Sequence, residues 1–254
     1  MKKVLLTVAY NGHNYCGYQL QPNKPTVALE MNRASYDAFG FECKVTGCSR
    51  TDSGVHALGF ALTVEPKNET DEITVPLDKI PIAMNIKLPN DISVIEAREV
   101  PLDFHPRYSA HKKRYIYKIH ASRVRNPFYE NFAYEYGREI TNDELEKMNV
   151  AAAQFIGTHE FDAFMAVGSK VEDTKRTVYE SFVRRNGEFV EFTVCADGFL
   201  YNMVRIMVGT LLSVREGRID PLTISGIIES KKRENAGFTA KAEGLYLEKI
   251  FYNG

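Results

Sequence analysis

Strand-like and helix-like runs follow one another irregularly along this chain, and that order restricts the fold more than any other feature. Val4 to Tyr10 is a short apolar run closed by the polar turn Asn11-Gly12-His13. Thr26 to Phe39 carries Val27, Met31, Ala34 and Ala38 at helical spacing, with Gly40 as a stop. Phe41 to Thr46 and Ala57 to Glu65 read as strands flanking a sharp turn. A short helix precedes Asn85, and Ile92 to Val100 reads as another strand. A strand over Lys113 to Ser122 places Lys113, Tyr115, Tyr117 and Ile119 on one face. Thr141 and Glu144 predict a capping box on a helix running to Ile156 and stopped by Gly157. Asn186-Gly187 predicts a hairpin turn, Leu200 to Arg215 an apolar helix, and Leu245 to Tyr252 a closing strand. Mixed elements without strict β-α-β alternation predict an α+β protein. Pro101 to Pro106 predicts a division into residues 1–103 and 104–254.

A chain of 254 residues holds one large core or two modest ones. Its 44% hydrophobic and 26% charged content is that of an ordinary globular protein. The opening Met1-Lys2-Lys3 imitates a signal peptide, but the apolar run behind it is too short. No stretch is long and apolar enough for a membrane span. Cys16, Cys43, Cys48 and Cys195 form no C-x-x-C pair, so neither a zinc cage nor a disulfide framework is expected, and a reducing cytoplasm fits.

The net charge of −1 is uninformative, but its distribution is not. Between Phe104 and Pro127 lie Arg107, Lys112, Lys113, Arg114, Lys118, Arg123 and Arg125, with no acid. Tyr108, Tyr115 and Tyr117 are interleaved with them. Basic residues with aromatics suit a phosphate backbone and stacked bases, and make Lys112 and Arg114 candidate RNA contacts. A solvated strand edge, protected by its lysines, is the other reading.

The densest chemistry is Gly47-Cys48-Ser49-Arg50-Thr51-Asp52-Ser53-Gly54-Val55-His56-Ala57, between two strands. Asp-Ser-Gly in a turn suits side-chain capping with glycine at positive φ. It also suits a catalytic carboxylate, because Arg50 two residues away would keep Asp52 ionised and the strands would hold the turn rigid. Ser49 lacks the second glycine of a G-x-S-x-G elbow, which excludes that hydrolase motif. His56 has no metal partner at ligand spacing; it is either a substrate contact or a strand-end hydrogen-bonding group.

Ser49-Arg50-Thr51-Asp52-Ser53-Gly54-Val55-His56-Ala57 resembles the G-R-T-D-A-G-V-H-A signature of the TruA-type tRNA pseudouridine synthases. Tyr10-Asn11-Gly12 with Cys16-Gly17-Tyr18-Gln19, Leu88 to Ile92, Phe104 to Arg107, and Lys113 to Tyr117 are similar to further family segments. So are Gly157 to Phe161, Met203-Val204-Arg205 and Ala242 to Leu247. The resemblance implies a pseudouridine synthase fold, with two similar sub-domains of mostly antiparallel sheet and flanking helices around a basic cleft. It implies an isomerase acting on uridine at positions 38 to 40 of the tRNA anticodon arm, as a homodimer without metal or organic cofactor. By motif, it implies that Asp52 is the catalytic carboxylate, Arg50 its neighbour, Tyr115 the ring that stacks on the base, and Arg205 the partner of Asp52. Ser49, Ser53, Asn11 and Tyr18 depart from the family's glycine, alanine, aspartate and tryptophan; the last two leave the RNA target open.

The chemistry suits these residue types. A base inside a stem must be flipped out at a cost of a few kcal/mol, and stacking on Tyr115 would offset roughly 1–3 kcal/mol. Packing of Tyr115 beside Tyr117 is the alternative. Asp52 has three open roles: attack on the base, attack on C1′, or removal of a sugar proton. Arg205 is the one charge between Phe199 and Val214; it needs an anion if buried, or snorkels to solvent. A non-catalytic RNA-binding protein on the same scaffold, or a synthase with another RNA target, are the competing functions.

Overall fold

Lys3–Tyr10 forms strand β1, and nearly all of it is buried because it lies between two antiparallel neighbours. The computed structural model describes residues 2–169 and 171–253. In chain order β1 is followed by α1 (Val27–Phe39), β2 (Cys43–Gly47), β3 (His56–Pro66), α2 (Ile80–Asn85) and β4 (Ile92–Val100). Next come β5 (Ala110–His120), β6 (Tyr134–Glu135), α3 (Asn142–Ala153), β7 (Gly157–Glu160), β8 (Lys175–Asn186) and β9 (Phe189–Ala196). Helices α4 (Met203–Arg215) and α5 (Ile224–Ser230) precede β10 (Leu245–Tyr252). The architecture is α+β, with mostly antiparallel strand pairing.

Two compact units emerge, residues 1–111 with 246–254, and residues 112–245. In the first, β1 pairs with β4 and β3, and β2 pairs with β3. The pairs Val4↔Val64, Leu6↔Leu62 and Val8↔Phe60 carry its core. Helix α1 begins where the Thr26 side chain accepts from the Leu29 N–H and ends at Gly40, whose φ of 81° is the left-handed stop. Its Val27, Met31 and Ala34 are buried, as the spacing predicts.

In the second unit β5 pairs with β9, β9 with β8 and β8 with β7, while β6 adds a short parallel edge to β5. Helix α3 has the expected capping box, the Thr141 and Glu144 side chains each accepting from the other's backbone N–H. It ends at Ala153, short of Ile156. The Gln154, Phe155 and Ile156 N–H groups bond three residues back, and this tighter turn drives Phe155 into the core. Helix α4 is buried around nearly its whole circumference, as an unbroken apolar run requires. The hairpin turn sits one residue later than expected, because Asn186 still pairs with Phe189 and only Gly187-Glu188 bridges the strands.

The expected division after residue 103 differs from these units in two respects. Lys3 Nζ donates to the Leu102 and Phe104 carbonyls, and Tyr252 Oη to the Pro106 carbonyl, so residues 102–106 are held by the first unit. The final strand returns to that unit too, β10 pairing in parallel with β3 at Tyr246↔His56 and Leu247↔Ala57.

Candidate active site

The chemistry-bearing loop occupies residues 48–55, between β2 and β3 of the first unit. The Cys48 N–H donates to the Ala61 carbonyl at 2.9 Å, anchoring the entry. Within the loop the Val55 N–H donates to the Asp52 carbonyl at 3.2 Å, and Gly54 adopts a φ of 78°. The Asp52 backbone thus closes the turn, and its side chain is half-buried.

A second loop, residues 11–18, braces the first from beneath. The Gly54 N–H and the Ser53 hydroxyl both donate to the Tyr15 carbonyl, at 3.3 and 3.2 Å. The Tyr18 N–H donates to the Thr51 carbonyl at 3.3 Å, and the Tyr10 and buried Thr51 hydroxyls meet at 2.9 Å. Gly12 and Gly17 make this approach possible. A methyl on Gly12 would overlap the Val55 carbonyl, and one on Gly17, whose φ is 86°, would overlap the Thr51 carbonyl. Sequence chemistry assigned these glycines no role, although two of them in one short polar turn signal close backbone approach.

His56 is 1% exposed. Its Nδ1 accepts from the Gly12 N–H at 3.1 Å, and its ring stacks on Tyr246 at 4.6 Å. It therefore ties the bracing turn to the start of β3. Arg50 is exposed, and among the described residues its guanidinium makes no hydrogen bond or ion pair. It lines a cavity with Tyr18, Gln19, Gly47, Ser49 and Arg107.

In the second unit Tyr115 is buried on β5 and meets Phe199 edge-on, centroids 5.0 Å apart. Neighbouring Tyr117 donates its hydroxyl to the Lys241 carbonyl at 2.8 Å. Of the candidate RNA contacts, Arg114 is half-buried and paired with Glu180 at 2.8 Å, while exposed Lys112 lies over the Tyr179 ring at 4.3 Å. Arg205 is half-buried near the start of α4. Its Nε donates to the Ala240 carbonyl at 2.7 Å and its Nη1 to Asn202 Oδ1 at 2.9 Å. Neutral acceptors thus take part of the load expected of an anion. Among the described residues no group of three or more His, Cys, Asp or Glu is arranged to hold a metal, and no helix is long and apolar enough to cross a membrane.

A sequence model described as tRNA pseudouridine synthase matches residues 6–109 and 151–253. The chain belongs to the tRNA pseudouridine synthase family. It is 43% identical over 252 residues to the tRNA pseudouridine synthase A of Clostridium acetobutylicum, covering 99% of this chain and 100% of that protein. It is 42% identical to the protein of the same name from Thermoanaerobacter sp. strain X514, with the same coverage. The Moorella thermoacetica protein, also so named, is 41% identical over 249 residues, covering 97% and 98% of the two chains. The braced Asp52 loop lies inside the family match, whereas β5 with Tyr115 falls in the interval between its two segments.

Proposed function

We propose that this chain isomerises uridine to pseudouridine in the anticodon arm of tRNA, at positions 38 to 40, with Asp52 as the essential carboxylate. Family membership supports the isomerase reaction and tRNA as substrate. The observation that carries the catalytic assignment is the bracing of residues 48–55 by residues 11–18. Backbone bonds close the turn and hold the half-buried Asp52 side chain in a fixed place, as a catalytic group requires. The C1′–N1 bond breaks, the base turns, and C5 joins C1′. Nothing is oxidised, reduced or lost.

Flipping the uridine out costs a few kcal/mol. In this reading Tyr115 stacks on the base and offsets part of that, its ring oriented by Phe199. Arg50 acts beside Asp52 in the catalytic loop, and Lys112 and Arg114 serve the substrate side; the burial of His56 limits it to positioning the loop rather than touching substrate. Arg205, steadied by Asn202 and Ala240, supplies the counter-charge for Asp52. A double-mutant cycle of Asp52→Asn and Arg205→Met in urea is expected to give a coupling of about 0.5–3 kcal/mol. The bonds to Asn202 and Ala240 are lost in both backgrounds and cancel. Additive effects would remove Arg205 from this role.

The active form in this reading is a homodimer, no metal or organic cofactor takes part, and the work is done in the cytoplasm, where tRNA is found. Mapping pseudouridine in tRNA from cells with and without the gene tests the target. Loss confined to positions 38 to 40 is expected. Loss at other positions, or in another RNA, would assign a different target; an unchanged map would sink the proposal.

A further inference from the structure

The open cavity walled by Tyr18, Gln19, Gly47, Ser49, Arg50 and Arg107 lies wholly within the first unit and has a volume of about 320 Å³. Two of its walls are cations and none is a carboxylate. Among the described residues neither guanidinium makes a hydrogen bond or an ion pair. Arg107 lies over the Tyr108 ring at 5.8 Å, which steadies it without neutralising it. The third feature is the Tyr18 hydroxyl. Tyr18 is 7% exposed, and its hydroxyl has no hydrogen-bond partner among the described residues. Burial pushes the phenol pKa up, so the group stays protonated and able to donate. A buried donor without an acceptor is costly, and here it belongs to a residue that lines a cavity two cations share.

We infer that this cavity holds a phosphodiester of the substrate RNA strand, beside the nucleotide that Asp52 converts. The chemistry selects the anion over a base. The one aromatic ring in the wall, Tyr18, already stacks on Phe60 at 4.3 Å and is buried, so it offers little surface to a base. Guanidinium groups, in contrast, match phosphate oxygens with paired donors. Elsewhere in the basic stretch three of the cations are engaged. Arg114 pairs with Glu180, Arg123 with Glu139, and Lys112 lies on Tyr179. Arg107 is the cation of that stretch that lines this cavity, and it is placed there to take a phosphate together with Arg50 from the Asp52 loop. The location beside Asp52 rests on the function proposed above; the anion site itself does not.

The test compares wild type, Arg107→Gln and Arg107→Lys for tRNA affinity by filter retention at several salt concentrations, with thermal melts alongside. Arg107→Gln is expected to weaken binding roughly tenfold and to flatten log affinity against log salt by up to about one unit. Arg107→Lys should keep the slope and recover part of the affinity, since charge returns without the fork. The melts should not move, because the side chain is exposed. Unchanged affinity and slope in Arg107→Gln would overturn the inference, as would an affinity loss matched by a lowered melting temperature. Asp52→Asn run in parallel separates the two readings. If that variant binds normally but does not turn over while Arg107→Gln is silent, the anion site fails and the catalytic assignment stands.

Discussion

Asp52→Asn is expected to lower turnover by at least about 10⁴-fold, with folding and tRNA affinity nearly unchanged. The amide is close to isosteric with the carboxylate but carries no charge, so it is a far weaker nucleophile or base whichever of the three roles Asp52 plays. Folding should survive because the loop is closed by backbone groups. The Asp52 carbonyl accepts from the Val55 N–H, and the Thr51 carbonyl accepts from the Tyr18 N–H. Tritium release from uridine labelled at C5 reads the turnover, filter retention reads binding, and a urea titration reads stability. Turnover within tenfold of wild type would take Asp52 out of the catalytic role. A variant that neither binds nor folds would instead make the carboxylate a structural group.

Gly12→Ala is expected to damage catalysis from beneath the loop. The added methyl would overlap the Val55 carbonyl, so either the turn after β1 or the Asp52 loop must move. A shift of the order of 1 Å in a catalytic group costs about 10²-fold in rate, and the overpacking costs about 1–3 kcal/mol in stability. The bond from the Gly12 N–H to His56 Nδ1 would be strained by the same movement. Gly40→Ala supplies the control. Gly40 also has a positive φ, 81°, but its added methyl would meet nothing within 4 Å. It should cost about 1 kcal/mol through backbone strain alone, with kcat unaffected. A Gly12→Ala enzyme with wild-type kcat would show that the two loops are not held rigidly together.

Local sequence specifies an element where the interaction that defines it lies within a few residues. The Thr141–Glu144 capping box, the Thr26 and Gly40 ends of α1, and the bounds of β4 and β10 are of that kind. The placement of the Asp52 loop between two strands was legible for the same reason: strand patterns on either side leave a turn between them. Where boundaries slipped, a tertiary demand had intervened. Helix α3 stops early so that Phe155 can enter the core, and the hairpin turn moves by one residue so that Asn186 can pair with Phe189.

By itself the sequence determined the α+β class, the family and the place of the candidate loop around Asp52, because residue type and short-range spacing specify these. Only the tertiary structure decided what each charged or polar group meets. It made His56 a buried acceptor for Gly12, gave Arg114 to Glu180, left Arg50 and Arg107 facing one cavity, and returned β10 to the unit of β1. These outcomes join residues tens or hundreds of positions apart. No local pattern encodes such a partner, because its energy exists only once the two strands or loops have been brought together.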